Sequence, residues 1–298
     1  MGKLLRSVQV VIVNWERAQD TIECIQSVMQ SHKVTVSVLV VDNGSRDDSV
    51  DQIRHLCPDA ELICLPTNLG FAGGFNTGIE HFMGSDAEYV FLLNNDTVIF
   101  PDTIHALVLA MQGCDVAVPK ILFHDSPGRI WAAGARWRFF PPSVIMIGYE
   151  RRDGPQYNVP RSLDYATGCA LMLNRQVVEK VGGFDPDYQN YQEDYDLCYR
   201  IRAAGFRIGY VPTARLLHKV SMTLGEGSPQ KWRLLGRNTV LFYRKHNRFP
   251  SWMLWSFLIW VSVRETLKRQ PAALPDFWRG VREGLVVLKR PQLGHAKR

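Results

Sequence analysis

The first hundred residues alternate short, almost unbroken apolar runs with segments of helical periodicity, and that alternation leaves few folds open. Val8–Val13 (VQVVIV) has the pattern of a strand covered on both faces. Ala18–Met29 repeats apolar residues at Ile22, Ile25 and Val28, the spacing of one helix face. Val36–Val41 reads as a second buried strand, Glu61–Leu65 as a third and Tyr89–Leu93 as a fourth. Between them, Ser45 and Asp48 resemble a capping box that opens a helix through Val50, Ile53 and Leu56, stopped by Pro58. Phe75–Met83 reads as a further helix. Strand–helix–strand units with helix-length crossovers imply an α/β fold, with a mainly parallel central sheet flanked by helices.

In such sheets ligands bind beyond the C-terminal ends of the strands. Asn14 follows the first strand, Asp42-Asn43-Gly44-Ser45 the second, Asn68-Leu69-Gly70 the third and Asn94-Asn95-Asp96 the fourth. One polar strand end is a turn; four along one edge suggest a polar cleft. Asp96 stands where a carboxylate could hold a divalent cation and, through it, a pyrophosphate, although Asn-Asn-Asp-Thr is equally good turn chemistry. His218 shares a face with Leu216 in the extended segment Ala214–His218. It is either a structural histidine or a metal ligand, and an imidazole among oxygen ligands shifts preference from magnesium towards manganese. The run Asn68–Asn76 (NLGFAGGFN) is a glycine-rich turn into a helix. Its amides either approach a phosphate or ribose, or the turn simply needs glycine. Its spacing fits neither the dinucleotide fingerprint nor the P-loop.

The stretch 120–165 is punctuated by Pro127-Gly128, Pro141-Pro142 and Gly154-Pro155 and carries Trp131, Trp137, Phe139, Phe140 and Tyr149. It reads as a lid or as a hairpin layer facing an acceptor. A strand at Ala170–Leu173, a helix from Gln176 to Val181, a helix from Glu193 and a strand at Arg207–Val211 follow. On the helix from Glu193, Asp194, Leu197 and Ile201 fall on one face, so Asp194 points inward with its apolar neighbours. A carboxylate in the first turn is favoured by the helix dipole and held as a general base should be. Asp196 and Arg200 read as a surface ion pair.

Charge is unevenly spread. Residues 1–230 carry 20 Lys/Arg against 26 Asp/Glu, a net of −6, whereas residues 231–298 carry 15 against 3, a net of +12. The basic character belongs to the C-terminal stretch and points to an anionic surface. There Trp252–Val263 (WMLWSFLIWVSV) is apolar nearly all round, with Arg244, Lys245 and Arg248 before it and Arg264, Lys268 and Arg269 after it. It reads as an interfacial helix on anionic lipid, or as a helix packed on the domain or on a dimer partner. No run reaches the roughly 18–20 apolar residues that span a bilayer. Nucleic acid is not expected as a partner, since the body is acidic and no such motif appears. The six cysteines show no close pairs and read as reduced apolar fillers, and Met1–Ser7 is too short and polar for a signal peptide. The expected location is the cytoplasm, at the inner face of the cell membrane.

Taken in order, VVIVNW (Val10–Trp15), VVDNGSRDDSV (Val40–Val50), NLGFAGGFNTGI (Asn68–Ile79), LLNNDT (Leu92–Thr97), TGCALMLNR (Thr167–Arg175), the long run Val181–His218 and RNTVLFYRKHN (Arg237–Asn247) resemble the family 2 glycosyltransferases. The likeness is strongest to their bacterial rhamnosyltransferase branch, enzymes of cell-surface polysaccharide synthesis. It implies a GT-A (nucleotide-diphospho-sugar transferase) fold and metal-dependent, inverting transfer. It also implies a nucleotide-sugar site of Asn14, Asp42, Asn68, Gly70, Asn76, Asn95 and Asp96, with Asp42 on the base and Asn68 and Asn76 at the ribose and phosphates. Asp96 and His218 would hold Mg2+ or Mn2+, with Asn94 standing where the family's D-x-D motif has its first acid. Asp194 matches the catalytic base, and Glu193 would position it or the acceptor. Residues 1–227 would form the catalytic domain, 1–119 for the nucleotide sugar and 120–227 for the acceptor and base, and 228–298 a membrane-associating helical extension. The donor implied is dTDP-L-rhamnose, with UDP-sugars as the alternative, and the acceptor a glycan or lipid-linked hydroxyl. A sugar-nucleotide pyrophosphorylase would need a basic glycine-rich N-terminal loop, which is lacking. A non-catalytic sugar-nucleotide-binding subunit would have no need of an inward Asp194.

Overall fold

The computed structural model describes residues 6–138, 143–220, 228–246, 251–267 and 271–287. In chain order the elements are β1 (Ser7–Asn14), α1 (Ala18–Met29), β2 (Thr35–Asp42), α2 (Ser49–Leu56), β3 (Glu61–Cys64), α3 (Gly70–Met83), β4 (Tyr89–Asn94), β5 (Thr97–Ile99) and α4 (Thr103–Ala110). They continue with β6 (Val116–Phe123), β7 (Ser126–Ala132), β8 (Ala135–Arg138), β9 (Ser143–Met146), β10 (Arg161–Leu163), β11 (Ala170–Asn174), α5 (Arg175–Val181), α6 (Glu193–Ala203) and β12 (Ile208–His218). The helices α7 (Pro229–Lys245), α8 (Ser251–Leu267) and α9 (Leu274–Val287) complete the described chain.

The main sheet runs β10-β12-β6-β11-β4-β1-β2-β3, with β5 paired to β12 and β7 to β6. From β4 to β3 every pairing is parallel, as the strand–helix alternation predicts. Beyond β4 the sheet becomes mixed: β11 runs antiparallel to both β4 and β6, while β12 is parallel to β6. The apolar runs are buried on both faces, and alternation sorts them. Val8, Val10 and Ile12 of β1 face a core shared with Ile22, Ile25 and Val28 of α1. Val11 faces the other core, with Phe75, Ile79 and Phe82 of α3.

Three local expectations change. Helix α2 begins at Ser49 with no side-chain cap from Asp48; Ser45 bonds Asp42 instead, and Asp47 accepts the Ser49 amide. The glycine-rich run is already helical from Gly70. A Cβ at Gly74 would lie 2.7 Å from Val13, and one at Gly78 would overlap Val11, so these glycines let α3 lie close on β1. The strand expected at 207–211 continues to His218 past a register shift between Val211 and Arg215. In the middle region, β8 and β9 form a separate two-stranded sheet; Phe139, Phe140, Pro141 and Pro142 lie outside the described residues, as do Arg248, Lys268 and Arg269 of the basic stretch. All six cysteines are free, and Cys64 alone of them is exposed.

The chain divides into two compact units. The larger holds the sheet and α1–α6. The smaller joins Asn190–Gln192 to the helices after residue 228. In this smaller unit α7 and α9 meet through glycine. A methyl on Gly236 would overlap the Phe277 carbonyl, one on Gly280 would overlap the Arg233 carbonyl, and one on Gly284 would stand 2.6 Å from the Arg237 carbonyl. Backbone cannot swing aside as a side chain can. Gly280→Ala should therefore cost about 1–3 kcal/mol by forcing the helices apart, read as a lower midpoint in thermal unfolding; an unchanged midpoint would show that the pair separates freely.

Candidate active site

The polar residues at the strand ends form connected networks. Asn14, fully buried at the end of β1, donates to Asp42 Oδ1 at 2.8 Å and accepts from Thr21 Oγ1 at 2.7 Å. Asp42 also takes the Ser45 amide at 2.9 Å and its hydroxyl at 2.6 Å. Three of its roughly four acceptor positions are thereby filled. Asn95 donates to the same Thr21 hydroxyl at 3.0 Å. Thr21 and Ser45, not among the expected site residues, thus knit the ends of β1, β2 and β4.

Three expected nucleotide-binding residues, Asn68, Gly70 and Asn76, also hold the scaffold together. Asn68 Oδ1 accepts from the Gly70 amide (2.8 Å) and from Asn43 (3.1 Å), while Asn43 returns a bond to the Gly70 carbonyl (3.0 Å). Gly70 has φ +74°, and a Cβ there would lie 2.6 Å from the Gln189 carbonyl, which also accepts the Phe71 amide at 3.1 Å. Only glycine suits that close left-handed turn. Asn76 spends its amide on the backbone of Phe184, donating to the carbonyl and accepting from the N–H, both at 2.8 Å. Asn68 and Gly70 shape a turn and Asn76 ties α3 to the loop before α6, because each carboxamide finds backbone partners nearby.

Asp96 and His218, 122 positions apart in sequence, are brought together. His218 pairs with Thr97 across the β5–β12 ladder, and the Lys219 amide donates to the Asp96 carbonyl at 2.9 Å. Both residues are 6% exposed, with Nε2 of His218 3.2 Å from Oδ1 of Asp96. The edge of Trp131 packs on the imidazole at 4.5 Å. Burial pulls the His218 pKa down, but the Cys169 sulfur and the Asp96 carboxylate outweigh it and lift it to about 10. An imidazole and a carboxylate this close can hold a cation in place of the imidazolium proton. The donor set, one carboxylate and one imidazole, suits Mg2+ or Mn2+ with the remaining positions left to substrate oxygens and water. Among the described residues no cluster of three or more His, Cys, Asp or Glu forms a closed metal site.

Asp194 lies in the first turn of α6 and is half-buried, on the face that buries Leu197 and Ile201. Oδ2 accepts the Tyr165 hydroxyl at 2.5 Å and the Gly168 amide at 3.0 Å, and Oδ1 accepts the Tyr195 amide at 2.9 Å. Burial raises its pKa, and these three bonds hold the rise in check. Glu193 is buried beside it with Oε2 unbonded among the described residues; burial, then the Asp194 charge, pushes its carboxyl far above the usual range. Asp196 and Arg200 are not a surface pair. Asp196 is 1% exposed, and Arg200 also binds the carbonyls of Val181 and Gly183 at 2.8 Å, fixing α6 to the end of α5.

Tyr165 and Gly168, the latter within the run Thr167–Arg175, were not among the expected site residues, yet they orient Asp194. An antiparallel bridge from Ala135 to Tyr165 aims the phenol. Cys198 of α6 exchanges bonds with the Ala166 backbone, accepting at 3.4 Å and donating at 3.3 Å. A few atoms further on, the Asn94 amide donates to the Cys169 carbonyl at 2.9 Å. The strip Gly168–Cys169 therefore reaches Asp194 on one side and the Asp96 turn on the other. Tyr165→Phe removes the bond that opposes the effect of burial, so the Asp194 pKa should climb further in a carboxylate 13C titration. An unmoved pKa would show that the phenol does not reach the carboxylate in solution.

Residues 9–182 match the sequence profile of glycosyl transferase family 2, and residues 152–223 match that of the N-terminal domain of galactosyltransferase. An N-acetylglucosaminyl-diphospho-decaprenol L-rhamnosyltransferase of Mycobacterium tuberculosis is 27% identical over 73% of this chain and 76% of its own. A low-salt glycan biosynthesis hexosyltransferase, Agl10, of Haloferax volcanii is 26% identical over 90% of this chain and 87% of its own. The crystal structure of GalNAc-T7 with UDP, GalNAc and Mn2+ superposes with a TM-score of 0.62 at 16% identity, covering 79% of this chain and 48% of that one. That likeness shows the fold to be GT-A. With more than half of its length matched by the family profile, the chain belongs to glycosyl transferase family 2.

Proposed function

We propose that the protein moves a sugar from a nucleoside-diphosphate donor to a hydroxyl of a glycan or lipid-linked acceptor, with inversion at the anomeric carbon. The observation that carries this reading is Asp194: a carboxylate held by three hydrogen bonds, with its pKa raised towards the range useful to a general base. In the reaction the acceptor oxygen attacks the anomeric carbon, the bond from that carbon to the diphosphate oxygen breaks, and the acceptor proton passes to Asp194 Oδ. One displacement gives inversion. Tyr165 stays neutral, since burial and the Asp194 charge raise its pKa well above the ordinary phenol value, and keeps the carboxylate pointed at the hydroxyl. Glu193 beside it discourages a second full charge on the pair. Asp96 and His218 would hold Mg2+ or Mn2+, which when bound offsets charge growing on the departing diphosphate. The networks of Asn14, Asp42 and Asn95 set the floor against which the nucleotide would lie. The nucleotide-sugar site is assigned to residues before 120 and the base to 120–227.

The donor favoured is dTDP-L-rhamnose, supported by the printed activity of the mycobacterial relative; UDP-sugars are the alternative. Purified protein with Mg2+ or Mn2+ and a panel of sugar nucleotides, assayed for free nucleoside diphosphate, tests the chemistry. Asp194→Asn should lower turnover by roughly 100- to 10,000-fold with little change in donor affinity, and Asp96→Ala should abolish the metal-dependent release. A large loss of donor affinity in Asp194→Asn would remove it from the role of base. Full turnover in that variant would do the same.

We also propose that the C-terminal stretch rests on anionic lipid at the inner face of the cell membrane. Helix α8 is not uniformly apolar in its surroundings. Met253, Leu254, Leu258 and Val261 are buried, while Trp252, Trp255, Ile259, Val263 and Leu267 form an exposed stripe at helical spacing, 48–78% accessible. No helix among the described residues is long and apolar enough to cross a membrane. An apolar stripe on a segment with a net charge of +12 suits the headgroup region, where apolar burial and charge attraction add. Replacing Trp252, Trp255 and Ile259 with Ser should weaken sedimentation with phosphatidylglycerol vesicles and leave binding to neutral vesicles low. Undiminished binding would place the contact elsewhere.

A further inference from the structure

The turn that leads into the base is held in an unfavourable backbone shape. Tyr191 and Gln192 both have φ +68°, a region that residues with a Cβ seldom occupy singly and rarely in succession. Such a turn persists only when its surroundings fix it. Within the smaller unit the fixing group is Asn238 of α7, fully buried. Its Nδ2 donates to the carbonyls of Asn190 (2.8 Å) and Tyr191 (2.7 Å), and its Oδ1 accepts from Arg237 Nη1 at 2.8 Å. The next residue, Thr239, accepts from Gln192 Nε2 at 3.0 Å. One step upstream, in the larger unit, the Gln189 carbonyl takes the Phe71 amide. The turn is thus bonded at each of its residues from Gln189 to Gln192, and the chain passes from Gln192 directly into Glu193 and Asp194. No spacer absorbs a change in its shape. Helix α7 can act as a fixed support because its contact with α9 is backbone against backbone at Gly236, Gly280 and Gly284.

We infer that Asn238 is a positioning residue for the base: its carboxamide imposes the left-handed turn at Tyr191-Gln192 and so sets the direction in which the first turn of α6 presents Asp194. The inference rests on the glycosyl-transfer reading and deepens it. Loss of the clamp lets the turn relax to ordinary backbone angles and rotates the start of α6. Donor affinity, which the mechanism assigns to the strand-end side, is untouched. A residue needed only for folding would instead lower the midpoint of unfolding and reduce the active fraction, with the surviving molecules turning over normally.

The test uses the full chain with four variants: Asn238→Ala, Asn238→Ser, Asn238→Ala/Gln192→Gly and, in parallel, Asp194→Asn. Nucleoside-diphosphate release, donor binding by calorimetry and amide exchange of the α6 peptide are measured. Asn238→Ala should lower kcat roughly 10- to 100-fold with unchanged donor Kd and faster exchange at Glu193–Leu197. Gln192→Gly, which makes the left-handed angle free of strain, should restore part of that loss. Asn238→Ser keeps one donor and should fall between the wild type and Asn238→Ala, and it serves as the working variant if Asn238→Ala does not fold. An unchanged kcat, a parallel loss of donor affinity, or no recovery with Gln192→Gly would overturn the positioning role. If Asp194→Asn retains turnover, the assignment of the base has failed. The exchange at α6 then still reports whether Asn238 sets the turn.

Discussion

Thr167, Gly168 and Cys169 carry interactions in opposite directions, and the placing of Asp194 against the Asp96–His218 pair depends on that short length of backbone. The Gly168 amide ends on Asp194, the Cys169 carbonyl accepts from Asn94, and the Cys169 sulfur lies against His218. Strand β11 begins at the next residue and is registered on β4 from Ala170 opposite Leu93. The separation between Asp194 and the Asp96–His218 pair is therefore tied to the register of β11 on β4 through the turn that precedes it. A slip of one residue would turn every β11 side chain to the opposite face and break both cores together. Gly168 is suited to this crowded place: a Cβ there would stand 3.0 Å from Phe71 and 3.6 Å from Asp194.

The site gathers groups that a stable interior avoids. Two adjacent carboxylates, Glu193 and Asp194, both have raised pKa values, chiefly through burial. The folded state therefore holds their protons to higher pH than the unfolded chain does. Stability that is fully present below the unfolded carboxyl pKa is lost as pH rises through the folded values. The turn before them adds backbone strain. Such costs at functional sites are tolerated where the surrounding structure is over-determined. Here the supports are a sheet buried on both faces and the Arg200 anchor of α6.

What could be read from the sequence follows from how local each cause is. The first four strands were legible because a strand covered on both faces leaves a continuous apolar run, and Asp194 because its spacing to Leu197 and Ile201 is enough to turn it inward. The pairing of Asp96 with His218 came from family resemblance; the β5–β12 ladder that makes it was invisible. For Asn68, Gly70 and Asn76 the sequence could not show the scaffold role, because the backbone partner of a carboxamide or glycine near a strand end is not a local feature. For Asn76 that partner is Phe184, over a hundred positions away. Strand β6 escaped notice because Pro119 and Lys120 interrupt its apolar run. Lys120 is buried, but on Asp153 and Asn158, which no local pattern links to it. The glycines of α7 and α9 stand in the sequence plainly, yet nothing near them says that they face each other.

The distribution of thiols gives the protein a built-in handle. Cys24 and Cys198 are buried with pKa values pushed up to about 12, and Cys57, Cys114 and Cys169 are buried and raised as well, chiefly by desolvation. Thiols in that state are poor nucleophiles at neutral pH. Cys64 is exposed, at the end of β3, and pairs in register with Asp42 on β2. An alkylating fluorophore would thus modify the native chain at a single position, one strand from the Asn14–Asp42 network, and report optically on that edge of the sheet without any engineered cysteine.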